Sequence, residues 1–287
     1  MSRIKRVWGW GVGFPGRAKS QHPMSNSSYH YLLICLLAFL VSLPTHAQQA
    51  GFQPRTYAAK SGHTLPYRIL YPENYDPTKK YPLILVLHGA GERGSNNEKQ
   101  LTHGSKLFLD PQNRQQFPAI VVFPQCPEDS YWAATKIDRT QHPLDIQFRY
   151  ADGPNWPLRA ALDLVQQLRH QEHVDKKRVY IMGLSMGGMG TFEALYREPK
   201  LFAAATPICG GGEPRSVKKY AKRLPLWVFH GSADDVVAPA HSREMVAALQ
   251  QAGARVKYTE YPGVNHNSWD SAFAEPELLP WLFSQRK

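Results

Sequence analysis

The fold is decided by residues 178–197, which read RVYIMGLSMGGMGTFEALYR. This stretch begins with a β-type apolar run, turns at Ser185 and continues with helix-forming residues. Its centre, Gly183-Leu184-Ser185-Met186-Gly187, fits the pattern G-x-S-x-G, in which small residues on both sides of the serine let the chain fold back tightly. Such a turn raises the hydroxyl above the carboxyl end of a strand and over a helix N-terminus, where negative charge is favoured. Because the pattern stands between the strand and the helix that it requires, Ser185 is the predicted nucleophile.

Apolar runs on both sides of this stretch predict a sheet. Residues 82–87 and 119–124 are continuously apolar, which is typical of strands buried on both faces of a parallel sheet. Residues 57–59 and 67–71 predict an N-terminal hairpin around the turn Ser61-Gly62. Later apolar runs predict three more strands, at 203–208, 226–229 and 256–261.

Helical patterns separate these strands. Residues 158–168 repeat apolar side chains at helical spacing, and Pro157 occupies a first-turn position. Further helices are predicted at 187–198, through 244–251, and as one final helix over about 270–284. Strands that alternate with helices predict the α/β class, with a mostly parallel, doubly wound sheet.

Two loops carry candidate partners for the serine. A serine hydroxyl needs a base to take its proton, and in such a sheet an acid and then a histidine follow later strands in chain order. Asp234 follows the strand at 226–229, and His266 follows the strand at 256–261, so we expect both near Ser185. Asp235 competes directly with Asp234 as the acid, and Asp270 is a weaker candidate that suits capping of the last helix.

Histidines and glycines close to strand ends have other predicted roles. His230 precedes a glycine at a strand end, and we expect it to be packed or hydrogen-bonded within its turn. The loop at 88–94, HGAGERG, is glycine-rich, as expected where main chain must approach a reacting oxygen. The backbone amides of Met186 and Ala90 are the predicted oxyanion hole, with Gly91 the next choice to Ala90. His88 is expected to anchor this loop, which lacks the lysine and hydroxyl ending of a phosphate-binding loop.

The N-terminal segment does not resemble part of a fold. A basic start, an apolar run from Tyr31 to Leu43 and the small Ala47 predict a signal peptide at 1–47 and a single catalytic domain at 48–287. A membrane anchor is the alternative, but the apolar run is too short to span a bilayer. Met24 is an alternative start. We therefore predict a secreted or periplasmic protein without stable membrane insertion.

Charge and cysteine content narrow the possible partners. Removing 1–47 removes five basic residues and no acid, and lowers the net charge from +11 to +6. No remaining cluster or stripe of Lys and Arg is expected to follow phosphates, so no nucleic acid partner is predicted. Cys126 and Cys209 remain, either as a disulfide in an oxidising compartment or as two buried thiols. No metal or organic cofactor is implied.

Five segments together resemble an esterase group of the α/β-hydrolase fold: residues 87–94, 124–127, 183–188, 207–212 and 266–269. This group is often called "predicted peptidase" or phospholipase/carboxylesterase-like, and is related to dienelactone hydrolases and feruloyl esterases. The resemblance covers about residues 55–285. It implies the triad Ser185, Asp234 and His266, in agreement with the residues considered one by one.

The surroundings of the site suggest a substrate class. The insert at 210–224 is too short for a large cap domain, whereas the longer insert at 126–157 is rich in aromatic residues. Trp132 and Trp156 are the predicted substrate-binding residues, as part of a stacking wall with Tyr131, Phe148 and Tyr150; the alternative is that these rings pack the insert onto the domain. The predicted activity is serine-dependent hydrolysis of short-chain or carbohydrate-linked (acetyl or feruloyl) esters. A serine peptidase of this fold and a non-catalytic binding protein are the alternatives.

Overall fold

The computed structural model describes residues 51–287, so the predicted signal peptide lies outside the described residues. An eight-stranded sheet forms the centre of this part of the chain, in the order β1-β2-β4-β3-β7-β8-β9-β10. A separate antiparallel pair, β5 and β6, lies within the long aromatic insert. The strands are β1 Gln53–Ala58, β2 Thr64–Leu70, β3 Tyr81–Leu87, β4 Ile120–Pro124, β5 Thr135–Asp138, β6 Asp145–Phe148, β7 Val174–Leu184, β8 Ala204–Ile208, β9 Leu226–Gly231 and β10 Val256–Tyr261.

The sheet is antiparallel at one edge and parallel elsewhere. Strands β1, β2 and β4 pair antiparallel, which confirms the N-terminal hairpin, and β4, β3, β7, β8, β9 and β10 pair in parallel. Because the carboxyl ends of parallel strands lie at the same end of the sheet, the loops after β3, β7, β9 and β10 meet there. This end carries the predicted site.

Helices cover both faces of the sheet, as the doubly wound prediction requires. The seven α-helices of the described residues are α1 Ser105–Leu109, α2 Pro111–Gln116, α3 Trp156–Gln171, α4 Met186–Arg197, α5 Ala240–Gln251, α6 Trp269–Phe273 and α7 Leu278–Ser284. None of the helices within residues 51–287 is long and apolar enough to cross a membrane.

Strand β3 shows why continuous apolar runs predict this architecture. Leu83 and Leu85 point into a core cluster that includes α3 side chains, while Ile84 and Val86 point into a second cluster that includes α7 side chains. All four side chains are buried. Each of these side chains therefore buries its apolar surface in one of two cores. Burial on both faces removes this surface from water and stabilises the sheet.

Two predictions of local structure need correction. The final helix is interrupted between Phe273 and Leu278, because Pro276 lacks the amide that a continuous helix needs. The insert at 126–157 contains the β5–β6 hairpin, whereas no strand was predicted there. The hairpin is short and mostly polar on one face, so its sequence has no continuous apolar run.

Candidate active site

Ser185 occupies a strained turn between β7 and α4. Its φ of 53° and ψ of −118° place it in a backbone region that side chains rarely adopt. Glycines permit this turn: a Cβ on Gly183 would overlap the carbonyl oxygen of Gly187, and a Cβ on Gly187 would overlap that of Leu87 at the end of β3. The turn therefore packs directly against the neighbouring strand, and it leaves Ser185 half-buried at the carboxyl end of the sheet.

Ser185, His266 and Asp234, the three residues predicted from loop order, are connected by a continuous series of hydrogen bonds. Nε2 of His266 is 2.9 Å from Oγ of Ser185, and Nδ1 of the same ring is 2.8 Å from Oδ2 of Asp234. The side chain of Asp234 is fully buried, while that of His266 keeps 18% of its surface exposed. One face of the site is therefore open to a substrate, and its anionic end is shielded from water.

Main-chain amides fix the orientation of Asp234. Its Oδ1 accepts hydrogen bonds from the amides of Val236 and Val237, each at 2.9 Å. Burial by itself would raise the pKa of this carboxyl group, but the donors from His230 and His266 and the amide of Val237 outweigh burial and hold the pKa well below its usual range. Asp234 is accordingly a carboxylate at neutral pH and can stabilise a protonated His266.

The competing acids lie elsewhere. Asp235 is exposed, and its backbone amide donates to Oδ1 of Asn265 at 3.1 Å. Asp270 is also exposed; it lies in the first turn of α6 and accepts a hydrogen bond from Asn267. Of the three aspartates considered, Asp234 is the one in contact with His266.

The loop after β3 brings the predicted oxyanion donors to the same place. Ala90 and Met186 both line the cleft beside Ser185. Met186 is the first residue of α4, so its amide has no partner one turn earlier in the helix. Gly91, the alternative to Ala90, also lines the cleft, so the positions of both residues are compatible with the role of second oxyanion donor.

His88 holds this loop in place, which confirms its predicted anchoring role. Its Nδ1 lies 2.6 Å from the carbonyl of Gly89, and its Nε2 lies 2.9 Å from the amide of Cys126. Since a carbonyl can only accept and an amide can only donate, the ring is neutral with its proton on Nδ1. Burial lowers the pKa of His88 to about 4, in keeping with this neutral form.

A cleft with a volume of about 300 Å³ opens over Ser185. One wall is polar and contains Glu92, His103 and Trp269. A second part of the lining is mostly apolar and includes the hairpin residues Ile137, Arg139 and Leu144 together with Met189, Val236 and Val237. Sequence reasoning missed most of these residues, because only the fold brings the hairpin over the nucleophile. Trp269 was accessible to prediction, since it lies three residues after His266 at the start of α6.

The predicted substrate contacts of Trp132 and Trp156 are wrong. Trp132 is completely buried, and its indole Nε1 donates to the carbonyl of His88 at 3.1 Å. Trp156 lies outside the cleft and stacks on His63, with ring centroids 4.4 Å apart. Among the five aromatic residues of the insert, Tyr131 is the one that lines the cleft. The alternative reading, that most of these rings pack the insert onto the domain, is the correct one.

The two cysteines of the described chain are free and buried. They belong to core clusters on opposite faces of the sheet, so they do not form the disulfide that was one of two expectations. Cys209, Asp234 and His266 also present ligand atoms within 4.8 Å of one another. However, His266 and Asp234 use theirs on each other, and burial raises the pKa of the Cys209 thiol. A protonated thiol and an occupied imidazole nitrogen suit proton handling better than metal binding.

One basic cluster was overlooked in the sequence. Five exposed side chains follow one another between β8 and β9: Arg215, Lys218, Lys219, Lys222 and Arg223. These residues form a basic cluster that was not recognised in the sequence, and the expectation of no nucleic acid partner stays a prediction. None of the five residues lines the cleft.

Fold and site together define the class of protein. A largely parallel sheet, with Ser185 on a strained strand-to-helix turn and His266 and Asp234 on later loops, is the α/β-hydrolase fold. Residues 151–277 match the model of the dienelactone hydrolase family. The chain has this fold and is similar to dienelactone hydrolases and to esterases.

Individual relatives agree with this assignment. A solved thermostable esterase is 37% identical, with a TM-score of 0.75 over 83% of this chain and 64% of that one. A bifunctional acetylxylan esterase/xylanase of Neocallimastix patriciarum is 28% identical over 182 residues, 63% of this chain. The chain spans 23% of the length of that enzyme and of a second curated relative, an uncharacterized secreted protein of Arthroderma benhamiae. The feruloyl esterase module of Clostridium thermocellum, 18% identical with a TM-score of 0.60, shares the fold.

Proposed function

We propose that this protein is a serine carboxylic-ester hydrolase, with Ser185 as nucleophile, His266 as general base and Asp234 as the acid of the triad. The observation that carries the proposal is the unbroken series of hydrogen bonds from Ser185 through His266 to the buried Asp234. Its position at the floor of an open cleft supports a reaction with an external substrate.

The first half-reaction forms an acyl-enzyme. His266 Nε2 takes the hydroxyl proton as Ser185 Oγ attacks the ester carbonyl carbon, and the carbonyl oxygen becomes an oxyanion. The amides of Met186 and Ala90 donate to that oxygen. The tetrahedral intermediate then collapses: the bond to the alcohol oxygen breaks, and His266 returns its proton to the departing alcohol.

The second half-reaction releases the acid. Water loses a proton to His266 and attacks the acyl carbon, and the bond to Ser185 Oγ breaks as the serine regains a proton from His266. Asp234 orients the imidazole and stabilises its charged form in both halves. Because Asp234 is ionised and shielded from water, its attraction for the imidazolium is stronger than it would be in solvent.

The cleft favours short-chain or carbohydrate-linked esters, with acetyl or feruloyl groups as the acyl part. The insert at 210–224 is too short to cover the cleft with a cap, so a large alcohol such as a polysaccharide can approach. The apolar wall of Ile137, Leu144 and Met189 offers a surface for an acyl group. Relatives named as acetylxylan and feruloyl esterases add support.

Export is part of the same proposal. The basic and then apolar segment at 1–47, with cleavage after Ala47, would deliver the domain to the periplasm or the medium. Polymeric plant-wall esters are found outside cells, so an exported location fits this substrate class. The relative from Arthroderma benhamiae is named as a secreted protein.

An ester panel with matched serine variants tests the activity. Wild type, Ser185→Ala and the exposed-site control Ser95→Ala are assayed on p-nitrophenyl acetate and butyrate, methyl ferulate and acetylated xylan. We expect turnover by wild type and by the control, and a loss on the order of 10⁶ in kcat for Ser185→Ala, the size of loss known for nucleophile removal.

A fluorophosphonate label separates the alternatives. We expect it to modify wild type and Ser95→Ala, and to leave Ser185→Ala unmodified. Labelling of wild type without turnover of any ester would favour a peptidase. Absence of labelling would favour a non-catalytic binding protein.

A further inference from the structure

Asp234 faces a second imidazole on the side away from His266. His230, the penultimate residue of β9, is completely buried. Its Nε2 lies 3.1 Å from Oδ2 of Asp234 and 3.0 Å from the carbonyl of Val237. The same carboxylate oxygen therefore contacts two histidine rings, one of which reaches Ser185 while the other is enclosed in the protein.

The hydrogen-bonding partners decide which atom of His230 carries a proton. A carboxylate and a carbonyl can only accept, so Nε2 of His230 must be the donor to both Asp234 and Val237. Asp234 thus accepts four hydrogen bonds, two at Oδ1 from main-chain amides and two at Oδ2 from histidine rings. A carboxylate held by four donors has a single orientation in its plane.

The other end of the His230 ring is fixed as well. Nδ1 lies 2.7 Å from Oγ of Ser242, a buried residue of α5, and this Oγ lies 2.9 Å from the carbonyl of Gly210. Gly210 packs so closely against Gly188, in the first turn of α4, that a Cβ on it would approach within 2.6 Å of the Gly188 backbone. The contacts therefore run from the helix behind Ser185 through Ser242 and His230 to Asp234.

We infer that His230 is a positioning residue of the triad. It holds Oδ2 of Asp234 in line with Nδ1 of His266. Because its own hydrogen bond partly neutralises the carboxylate, it also weakens the attraction between Asp234 and His266. This inference rests on the proposed function, because it assigns His230 to the reaction of Ser185. His230 acts through Asp234: it does not contact the nucleophile, and it is not itself among the residues that line the cleft.

Other titratable groups surround this pair. Cys209 lies beside Asp234 on the loop after β8, His266 follows β10, and His241 on α5 and Glu260 on β10 are near enough for charge interaction with His230. Of these groups, only His266 hydrogen-bonds to the carboxylate that His230 holds. A change at His230 should therefore appear first in the protonation of His266.

Two substitutions at one position separate positioning from packing. His230→Leu removes the donor but fills similar space, whereas His230→Gln places an amide N–H close to the position of Nε2. We expect kcat of His230→Leu to fall about 10- to 100-fold, the range for losing a hydrogen bond to a charged group, with KM for a short ester little changed. We expect His230→Gln to stay within a few-fold of wild type. His170→Leu, at an exposed position on α3, is the matched control.

The pH profile gives a readout that a purely structural role would not move. Without His230, Oδ2 of Asp234 accepts a hydrogen bond from His266 alone, and its negative charge stabilises the protonated form of His266 more strongly. We therefore expect the acid limb of the kcat/KM profile to move to higher pH in His230→Leu. The limb should stay at the wild-type position in His230→Gln and His170→Leu. An unmoved limb in a folded His230→Leu, or equal losses in both His230 variants, would overturn the inference.

Nuclear magnetic resonance of the ring proton between His266 and Asp234 tests the inference without turnover. We expect this far-downfield resonance to shift or broaden in His230→Leu and to persist in His230→Gln. An unchanged resonance in His230→Leu would contradict positioning by His230. Failure of wild type on every ester, with the resonance behaving as expected, would contradict the proposed function alone.

Discussion

Oδ2 of Asp234 lies 2.8 Å from Nδ1 of His266, although the two residues stand on loops after different strands. These strands, β9 and β10, are parallel neighbours, with His230 opposite Glu260 and Gly231 opposite Tyr261 in register. Loops that leave the same end of adjacent strands start only a few ångströms apart. Pairing in the sheet thus brings the acid to the base, and the buried amides after Asp234 give its carboxylate a direction.

Replacing each aspartate of the adjacent pair by asparagine should have very different effects. Asp234→Asn keeps the shape of the side chain but loses the charge that orients and stabilises His266, so we expect kcat to fall by on the order of 10⁴, as in the worked protease triad. Asp235→Asn should stay within a few-fold of wild type, because Asp235 is exposed and uses its backbone amide for its contact. Steady-state kinetics on p-nitrophenyl acetate measures both. A large loss of activity in Asp235→Asn, together with an active Asp234→Asn, would show that Asp235 is the acid of the triad.

Adding a methyl group to Gly187 should destabilise the whole domain. The Cβ would overlap the Leu87 carbonyl, which belongs to the backbone of β3 and cannot move aside cheaply. We expect the free energy of unfolding of Gly187→Ala to fall by about 3 kcal/mol or more, at the upper end for overpacked sites. Gly91→Ala is the matched control for stability, since its Cβ would meet nothing within 4 Å. Denaturant titration followed by tryptophan fluorescence measures both, and similar stabilities would show that the turn tolerates a side chain.

His88 should make stability depend on pH. Its pKa is about 4 in the folded protein, because of burial, and about 6.5 when unfolded. Between these values the unfolded chain binds a proton that the folded chain does not, so stability falls as the pH is lowered from about 6.5 towards 4 and is fully present above 6.5. By linkage, the loss at pH 4.5 is about 2.5 kcal/mol.

A variant that cannot titrate isolates this effect. His88→Asn should unfold more readily than wild type at pH 7.5, and the gap between the two proteins should shrink by about 2.5 kcal/mol at pH 4.5. Urea titrations at both pH values measure the gap. A gap that is the same at both would show that His88 does not supply the pH dependence.

The hairpin that borders the cleft should control selectivity for the acyl group. Ile137→Ala and Leu144→Ala remove apolar surface from the cleft wall, so we expect KM for methyl ferulate and butyrate esters to rise several-fold, while acetate esters change little. Trp132→Phe is the comparison, because Trp132 is buried and bonded to the His88 carbonyl. It should lower stability by about 1–3 kcal/mol with KM unchanged. Altered KM in Trp132→Phe with unaltered KM in both hairpin variants would reverse this assignment.

The accuracy of the sequence predictions varied with the range of the interactions involved. Continuous apolar runs marked the central strands correctly, because such runs are needed by any strand buried on both faces. The same reasoning failed for the β5–β6 hairpin, which is polar on one side. The last helix was predicted as continuous because the helix-breaking effect of Pro276 was overlooked. Trp132 and Trp156 were misplaced because an aromatic residue on a loop can turn inward or outward, and local sequence does not say which.

By itself, the sequence determined the α/β class, the strained turn at Ser185 and the order in which an acid and a histidine follow it. These features depend on local rules: hydrophobic periodicity, the small residues that a tight turn needs, and the order of strands along the chain. The sequence left Asp235 as a competitor of Asp234, and the tertiary structure shows that Asp234 is the one that faces His266. Only the tertiary structure decided that a hairpin with one polar face lines the cleft and that His230 shares the carboxylate of Asp234. Each of these depends on the direction of a side chain within a packed interior, which residues distant in the sequence impose.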